Sequence, residues 1–144
     1  MQKIILVGKP NVGKSSLFNR LVGSRQAIVA KEAGTTRDNV LAQVKFGQKT
    51  SWLVDTAGLK DPTDDFEANI QDQITEAVEL ADVIMVVVDS TLFPTQDDRQ
   101  IAKTALKNRK PVVLVVNKTD LRSSVDRNEW LKLGIKDIFY TSAN

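Results

Sequence analysis

The sequence predicts an α/β fold with a mixed, mostly parallel six-stranded sheet and helices on both faces. Three observations predict it. Apolar strand-like runs alternate with amphipathic helical stretches along the 144 residues, as in a parallel sheet joined by crossover helices. Val83 to Val88 and Val112 to Val116 are almost purely apolar, the composition of strands covered on both faces. Residues 8 to 15 read Gly8-Lys9-Pro10-Asn11-Val12-Gly13-Lys14-Ser15, directly after Ile4-Ile5-Leu6-Val7. That is G-x-x-x-x-G-K-[ST] delivered by a strand and followed by a helix, the P-loop context.

The elements follow in order. A first strand is expected over about 3 to 8. A helix is expected over about 14 to 22, with Leu17, Leu21 and Phe18 inward and Gly23 as its stop. Residues 24 to 38 are polar and turn-rich and read as a mobile loop. Val40, Ala42, Val44 and Phe46 alternate with Asn39, Leu41, Gln43 and Lys45, a half-exposed strand. Gly47-Gln48 reads as a tight turn joining it to a strand at about 49 to 55, so this pair is a hairpin and the first strand of it an antiparallel edge. Residues 56 to 69 read as loop. Helices are expected over about 70 to 81, 96 to 109 and 126 to 133, and a last strand over about 136 to 141. The chain stops at Ser142-Ala143-Asn144, where a doubly wound domain closes with a helix. The expectation is one domain over residues 1 to 144, lacking its closing C-terminal helix, as a fragment of a longer multidomain protein.

Composition narrows the chemistry. The length suits one domain with a core and is too short for two. Net charge is +2, so the surface as a whole is not a nucleic-acid footprint and no DNA partner is expected. The cluster at 107 to 110, Lys-Asn-Arg-Lys, falls at the end of a predicted helix, where cations complement the dipole. There is no cysteine and no histidine. Disulfides, thiol nucleophiles, zinc–thiolate sites and a Ser-His-Asp triad are excluded. Any general base is a carboxylate, a lysine or the substrate itself. No run of 18 apolar residues exists to span a membrane, and the N-terminal apolar stretch is too short for a signal peptide. The expected location is the cytoplasm.

The motifs carry the function. Glycines let the loop backbone turn and bring its N–H groups to phosphate oxygens at a helix N-terminus. Asn11, Val12, Gly13, Lys14, Ser15 and Ser16 are thus the expected phosphate-binding set. Lys14 supplies a point charge to the outer phosphates and Ser15 a hydroxyl to Mg²⁺. Asp55-Thr56-Ala57-Gly58 follows the apolar run Trp52-Leu53-Val54, at the sheet edge where ligands bind. Asp55 can hold Mg²⁺ through water, and the Gly58 N–H can meet the γ-phosphate. In the long loop, Thr35 or Thr36 is expected to bind Mg²⁺ and sense the γ-phosphate, Thr36 being preferred. Asn117-Lys118-Thr119-Asp120 ends another strand. Guanine presents N1–H and N2–H₂ as adjacent donors that one carboxylate accepts together. Adenine has no such pair and leaves the carboxylate unsatisfied, a loss of about 1–3 kcal/mol or more. Asp120 therefore selects GTP over ATP, Asn117 ties this loop to the P-loop, and the Lys118 stem covers the base. Thr141-Ser142-Ala143 ends the last strand, and the Ala143 N–H, with Ser142 beside it, can reach guanine O6.

With these motifs in order, the chain resembles a translation-factor-class GTPase domain along its whole length. Within that class it is similar to the Der (EngA), Era and MnmE group, on the residues Gly8 to Asn19 and Gly34-Thr35-Thr36-Arg37-Asp38. A P-loop starting at residue 8 is most similar to the first G domain of the Der family. The resemblance implies a slow GTPase that acts as a switch in ribosome assembly. It implies contact with a ribosomal subunit or rRNA through domains outside this chain. Leu59 stands where Ras-like GTPases carry a water-orienting glutamine, so that role must lie elsewhere. The resemblance assigns K⁺ to Asn11, with loop carbonyls near Lys31 to Gly34, as the charge that replaces an arginine finger. It assigns water orientation to Glu67. The catalytic set it implies is Lys14, Thr36, Gly58 and Glu67. The alternatives are a nucleotide-dependent docking module with negligible hydrolysis, or the G domain of an Era-like or MnmE-like GTPase; an ATPase comes a distant third.

Overall fold

The computed structural model describes residues 2–9, 12–23, 28–31, 38–46, 48–55, 74–118 and 125–141. The strands are β1 (Gln2–Val7), β2 (Ile28–Lys31), β3 (Asp38–Phe46), β4 (Lys49–Asp55), β5 (Val83–Asp89), β6 (Val112–Asn117) and β7 (Asp137–Tyr140). The helices are α1 (Lys14–Val22), α2 (74–80), α3 (Gln96–Leu106) and α4 (Arg127–Leu131). The sheet runs β2-β3-β4-β1-β5-β6-β7. Pairs from β4 across to β7 are parallel, and β2–β3 and β3–β4 are antiparallel.

Six strands are those the sequence predicts; β2 is a seventh, inside the stretch expected to be a loop. Ile28 pairs with Leu41 and Lys31 with Asp38. Its run of four residues is too short for an alternation to register. In consequence β3 is not the edge of the sheet; β2 is. The hairpin itself is as expected, with Phe46 opposite Lys49.

Two apolar layers sandwich the sheet. On one face Ile5, Val54, Ile84, Val86 and Leu114 meet α2 (Ile74, Val78), α3 (Ile101, Ala105) and Trp130 of α4. On the other, Leu6, Leu53 and Val87 meet Val12 and the Leu17, Phe18 and Val22 face of α1. Leu21 is only partly buried. Strand alternation sends consecutive residues to opposite layers, so the central strands are apolar throughout.

The basic cluster does more than neutralise its own helix. Helix α3 ends at Leu106, short of the expected 109, and Asn108 Nδ2 donates to the Thr104 carbonyl at 3.0 Å. Lys110 crosses to α2 instead. Its ammonium donates to the carbonyls of Val78 and Glu79 at 2.6 and 2.7 Å. These are terminal carbonyls that an α-helix cannot satisfy internally, and a cation suits that pole. Lys110→Met keeps the stem and removes the donor. It is expected to lower stability by about 1 kcal/mol, read as a lower urea midpoint with an unchanged slope.

Candidate functional site

The parallel strands place their C-terminal ends on one edge, and polar residues emerge there. β1 leads into Gly8, and β4, β5 and β6 end in Asp55, Asp89 and Asn117. All three of these polar residues are buried. Their strands lie on either side of β1 in the sheet order, so they flank the loop that β1 launches.

That loop is held close to the sheet. A Cβ on Gly8 would lie 2.6 Å from the Val87 carbonyl of β5. Gly13 has φ +90°, a left-handed conformation that favours glycine. A Cβ there would collide with the Asn117 side-chain amide and lie 3.6 Å from Lys118 Cε. Val12 sits in the core and anchors the loop's far side. Helix α1 then starts at Lys14, so its first N–H groups open onto the same edge.

Lys14 is only 6% exposed. Burial lowers the pKa of its ammonium to about 8, against the opposing pull of Asp55. Ser15 Oγ donates to Asp55 Oδ2 at 3.2 Å. A hydroxyl and a carboxylate at this spacing are hard oxygen donors of the kind Mg²⁺ takes, so this pair fits the expected metal. Ser16 is exposed in the first turn of α1.

Asn117 closes the other side. Its Nδ2 donates to the Val12 carbonyl at 3.0 Å and reaches the Gly13 carbonyl at 3.4 Å. The tie between this loop and the P-loop is therefore direct. Lys118, at φ +65°, runs its stem past Gly13 and pairs its ammonium with Asp89 at 3.1 Å.

Asp89 is a site residue that the motif reading did not name. Burial pushes its carboxyl up. The Thr91 hydroxyl and N–H and the Lys118 ammonium outweigh that and hold it below the usual value. Its signal in the sequence is the one that marks Asp55 and Asn117, a polar residue closing an apolar strand. Lys9 is a second anchor that the motifs do not name. Its ammonium meets Asp98 at 3.2 Å and Thr95 Oγ1 at 3.1 Å. Thr95 and Asp98 form the capping box of α3, readable as T-x-x-D before an apolar-periodic run. Asn11, Thr35, Thr36, Gly58, Glu67, Asp120, Ser142 and Ala143 lie outside the described residues.

Two outcomes test this geometry. Asn117→Ala strips the Val12 carbonyl of a buried donor. It should cost the free chain about 1–3 kcal/mol in urea unfolding and weaken nucleotide binding as well. The second concerns Lys14. Its pKa of about 8 in the free chain lies below the usual lysine value of about 10.4. Between those values the unfolded chain binds more protons, so the stability of the free chain rises with pH there. A bound polyphosphate favours the ammonium and raises its pKa again. Nucleotide binding above about pH 8 should therefore take up protons and weaken as pH rises. Calorimetry in buffers of different ionisation enthalpy should detect the uptake near pH 8.5 and lose it near pH 6.5.

Comparison with known proteins agrees with this arrangement. The family model described as 50S ribosome-binding GTPase matches residues 3–118. GTPase Der from Campylobacter jejuni is 42% identical over 143 residues, covering 99% of this chain and 31% of its own length. The chain thus spans about a third of such curated relatives. Among solved structures, the G domain of the Thermotoga maritima FeoB iron transporter superposes with TM-score 0.71 at 29% identity, covering 99% of this chain and 88% of that one. Aquifex aeolicus Era bound to GDP·AlF4⁻ superposes with TM-score 0.70 at 30% identity, covering 99% and 52%. A P-loop clasped by Asn117 on a mostly parallel sheet, and a match over most of its length, place the chain in the 50S ribosome-binding GTPase family.

Proposed function

We propose that the chain is one G domain of a longer protein that binds GTP, hydrolyses it slowly to GDP and phosphate, and switches a cytoplasmic step of ribosome assembly. The observation that carries the reading is the buried Lys14 at the head of α1, beside the Ser15–Asp55 pair and under the Asn117 clamp. A desolvated ammonium is costly without an anion, and P-loop N–H groups with Lys14 supply a cradle for the β- and γ-phosphates. Lys118 and Asn117 hold the base loop against that cradle, and Asp120 reads guanine. Mg²⁺, when bound, neutralises charge on the outer phosphates.

Thr36 and Gly58 sense the γ-phosphate, and Glu67 orients the attacking water in place of a glutamine at position 59. K⁺, drawn by Asn11, supplies the positive charge that an arginine finger gives elsewhere. The ribosomal role is supported by the family's description and by the Der relatives. Contact with the ribosome through domains outside this chain agrees with its covering 31% of those relatives.

Single-turnover GTP hydrolysis in KCl and in NaCl, with Mg²⁺ present, tests the reading. Turnover should be faster in K⁺ by an order of magnitude or so, and Asn11→Ala should remove the difference. Equal rates in both salts, unmoved by the variant, would refute the K⁺ assignment. No hydrolysis in either salt, with GTP still bound, would favour the docking module. Asp120→Asn should weaken GTP and admit xanthosine triphosphate, whose 2-oxo group suits an amide donor.

A further inference from the structure

Helix α3 turns one face away from the core, and that face is basic. Arg99, Lys103 and Lys107 recur every four residues and all are exposed. Each step advances about 6 Å along the axis. With Lys132 they line a groove of about 470 Å³ between α3 and the end of α4, together with Leu106 and Leu133. None of the six lining residues is acidic. The carboxylate that meets them, Glu129, pairs with Lys132 at 3.1 Å. Arg99, Lys103 and Lys107 have no carboxylate partner among the described residues.

An ordinary solvated helix face intersperses both signs. This one does not. The α3 dipole explains Lys103 and Lys107 at its C-terminal end, but it disfavours Arg99, one turn from the N-terminus. Even with Glu129 counted, the groove holds more positive charge than the +2 net of the whole chain. The excess is concentrated here, at a spacing that a polyanion with regularly spaced charges would match.

We propose that the α3–α4 groove binds the phosphodiester backbone of RNA, with Arg99, Lys103, Lys107 and Lys132 as its phosphate contacts. The inference rests on the ribosomal reading above for its choice of polyanion. It puts an RNA contact on the G domain itself. Such contacts fix position without reading sequence, and Leu106 and Leu133 give the sugar edges an apolar wall.

The test is fluorescence anisotropy of the 144-residue chain with a fluorescein-labelled single-stranded RNA of about 20 nucleotides, from about 50 to about 200 mM KCl. The logarithm of affinity should fall with the logarithm of salt with a slope of about −2 to −3, as three or four contacts require. Arg99→Glu with Lys103→Glu should weaken binding about tenfold or more and flatten the slope by about 1.4. Lys103→Gln with Lys107→Gln is the milder pair and should shift both in the same sense. Lys45→Glu with Lys49→Glu, exposed on the β3–β4 hairpin, changes net charge equally and should leave RNA binding intact. A labelled GDP analogue should bind all variants alike, which shows that they fold. Overturning results are RNA binding that is undetectable or insensitive to salt, equal losses from the groove and hairpin reversals, or displacement of the RNA by poly-L-glutamate at lower charge than by unlabelled RNA. The last would make the occupant an acidic protein. Loss of GDP binding by the unaltered chain with RNA binding intact would sink the GTPase reading and leave the groove.

Discussion

One buried amide holds the two halves of the site in register. Asn117 stands at the end of β6, 1% exposed, and its Nδ2 grips the carbonyls of Val12 and Gly13 more than a hundred residues away in the chain. Among the described residues the P-loop is also held by Lys9 on Asp98 and Thr95, by Val12 in the core and by the start of α1. With the clamp, its N–H groups keep a fixed relation to the end of β6. Phosphates and base sit at opposite ends of one ligand, so a site for that ligand needs this distance fixed before binding. Preorganisation of this kind cuts the ordering cost that binding must meet. The close approach explains why position 13 is glycine: the amide occupies the space a Cβ needs.

The electrostatics follow from the same packing. A loop pressed against the sheet leaves Lys14 little water, and its ammonium is destabilised accordingly. Asp55 offsets part of that loss and also meets the Ser15 hydroxyl. Other cations near the edge are engaged elsewhere, Lys9 with Asp98 and Lys118 with Asp89. Among the described residues at this edge, Lys14 is the buried ammonium whose charge is disfavoured by desolvation. An anion placed beside it would favour the charged form.

Much of this was legible in the sequence, for a physical reason. The P-loop, Asp55 and Asn117 each sit where an apolar strand stops, and strand ends on a parallel sheet share one edge by topology. Knowing the strands was enough to bring these residues together. Central strands declared themselves by unbroken apolar runs, and α1 by its inward Leu17 and Phe18. What escaped was of two kinds. β2 is four residues long, too short for any period to show, and its pairing partner β3 decides its conformation. The Lys9–Asp98 and Lys118–Asp89 pairs join residues that are far apart in the chain. Charges on a sequence announce no partner, because the attraction depends on a distance that only the fold sets.

Helix α3 shows how one element can carry two unrelated constraints. Its N-terminal turn is bound to the P-loop side. Asp98 caps the helix backbone and accepts Lys9 with the same Oδ2 atom, a charge placed where the dipole favours it. Its inner face, through Ile101, Ala102 and Ala105, is fixed in the core against β5 and β6. On its outer face Arg99, Lys103 and Lys107 repeat with no carboxylate between them. The dipole accounts for Lys103 and Lys107 at the C-terminal end and opposes Arg99 near the N-terminus. One charge kept at one spacing, even where the dipole opposes it, is the pattern that a partner with regularly spaced anions would match.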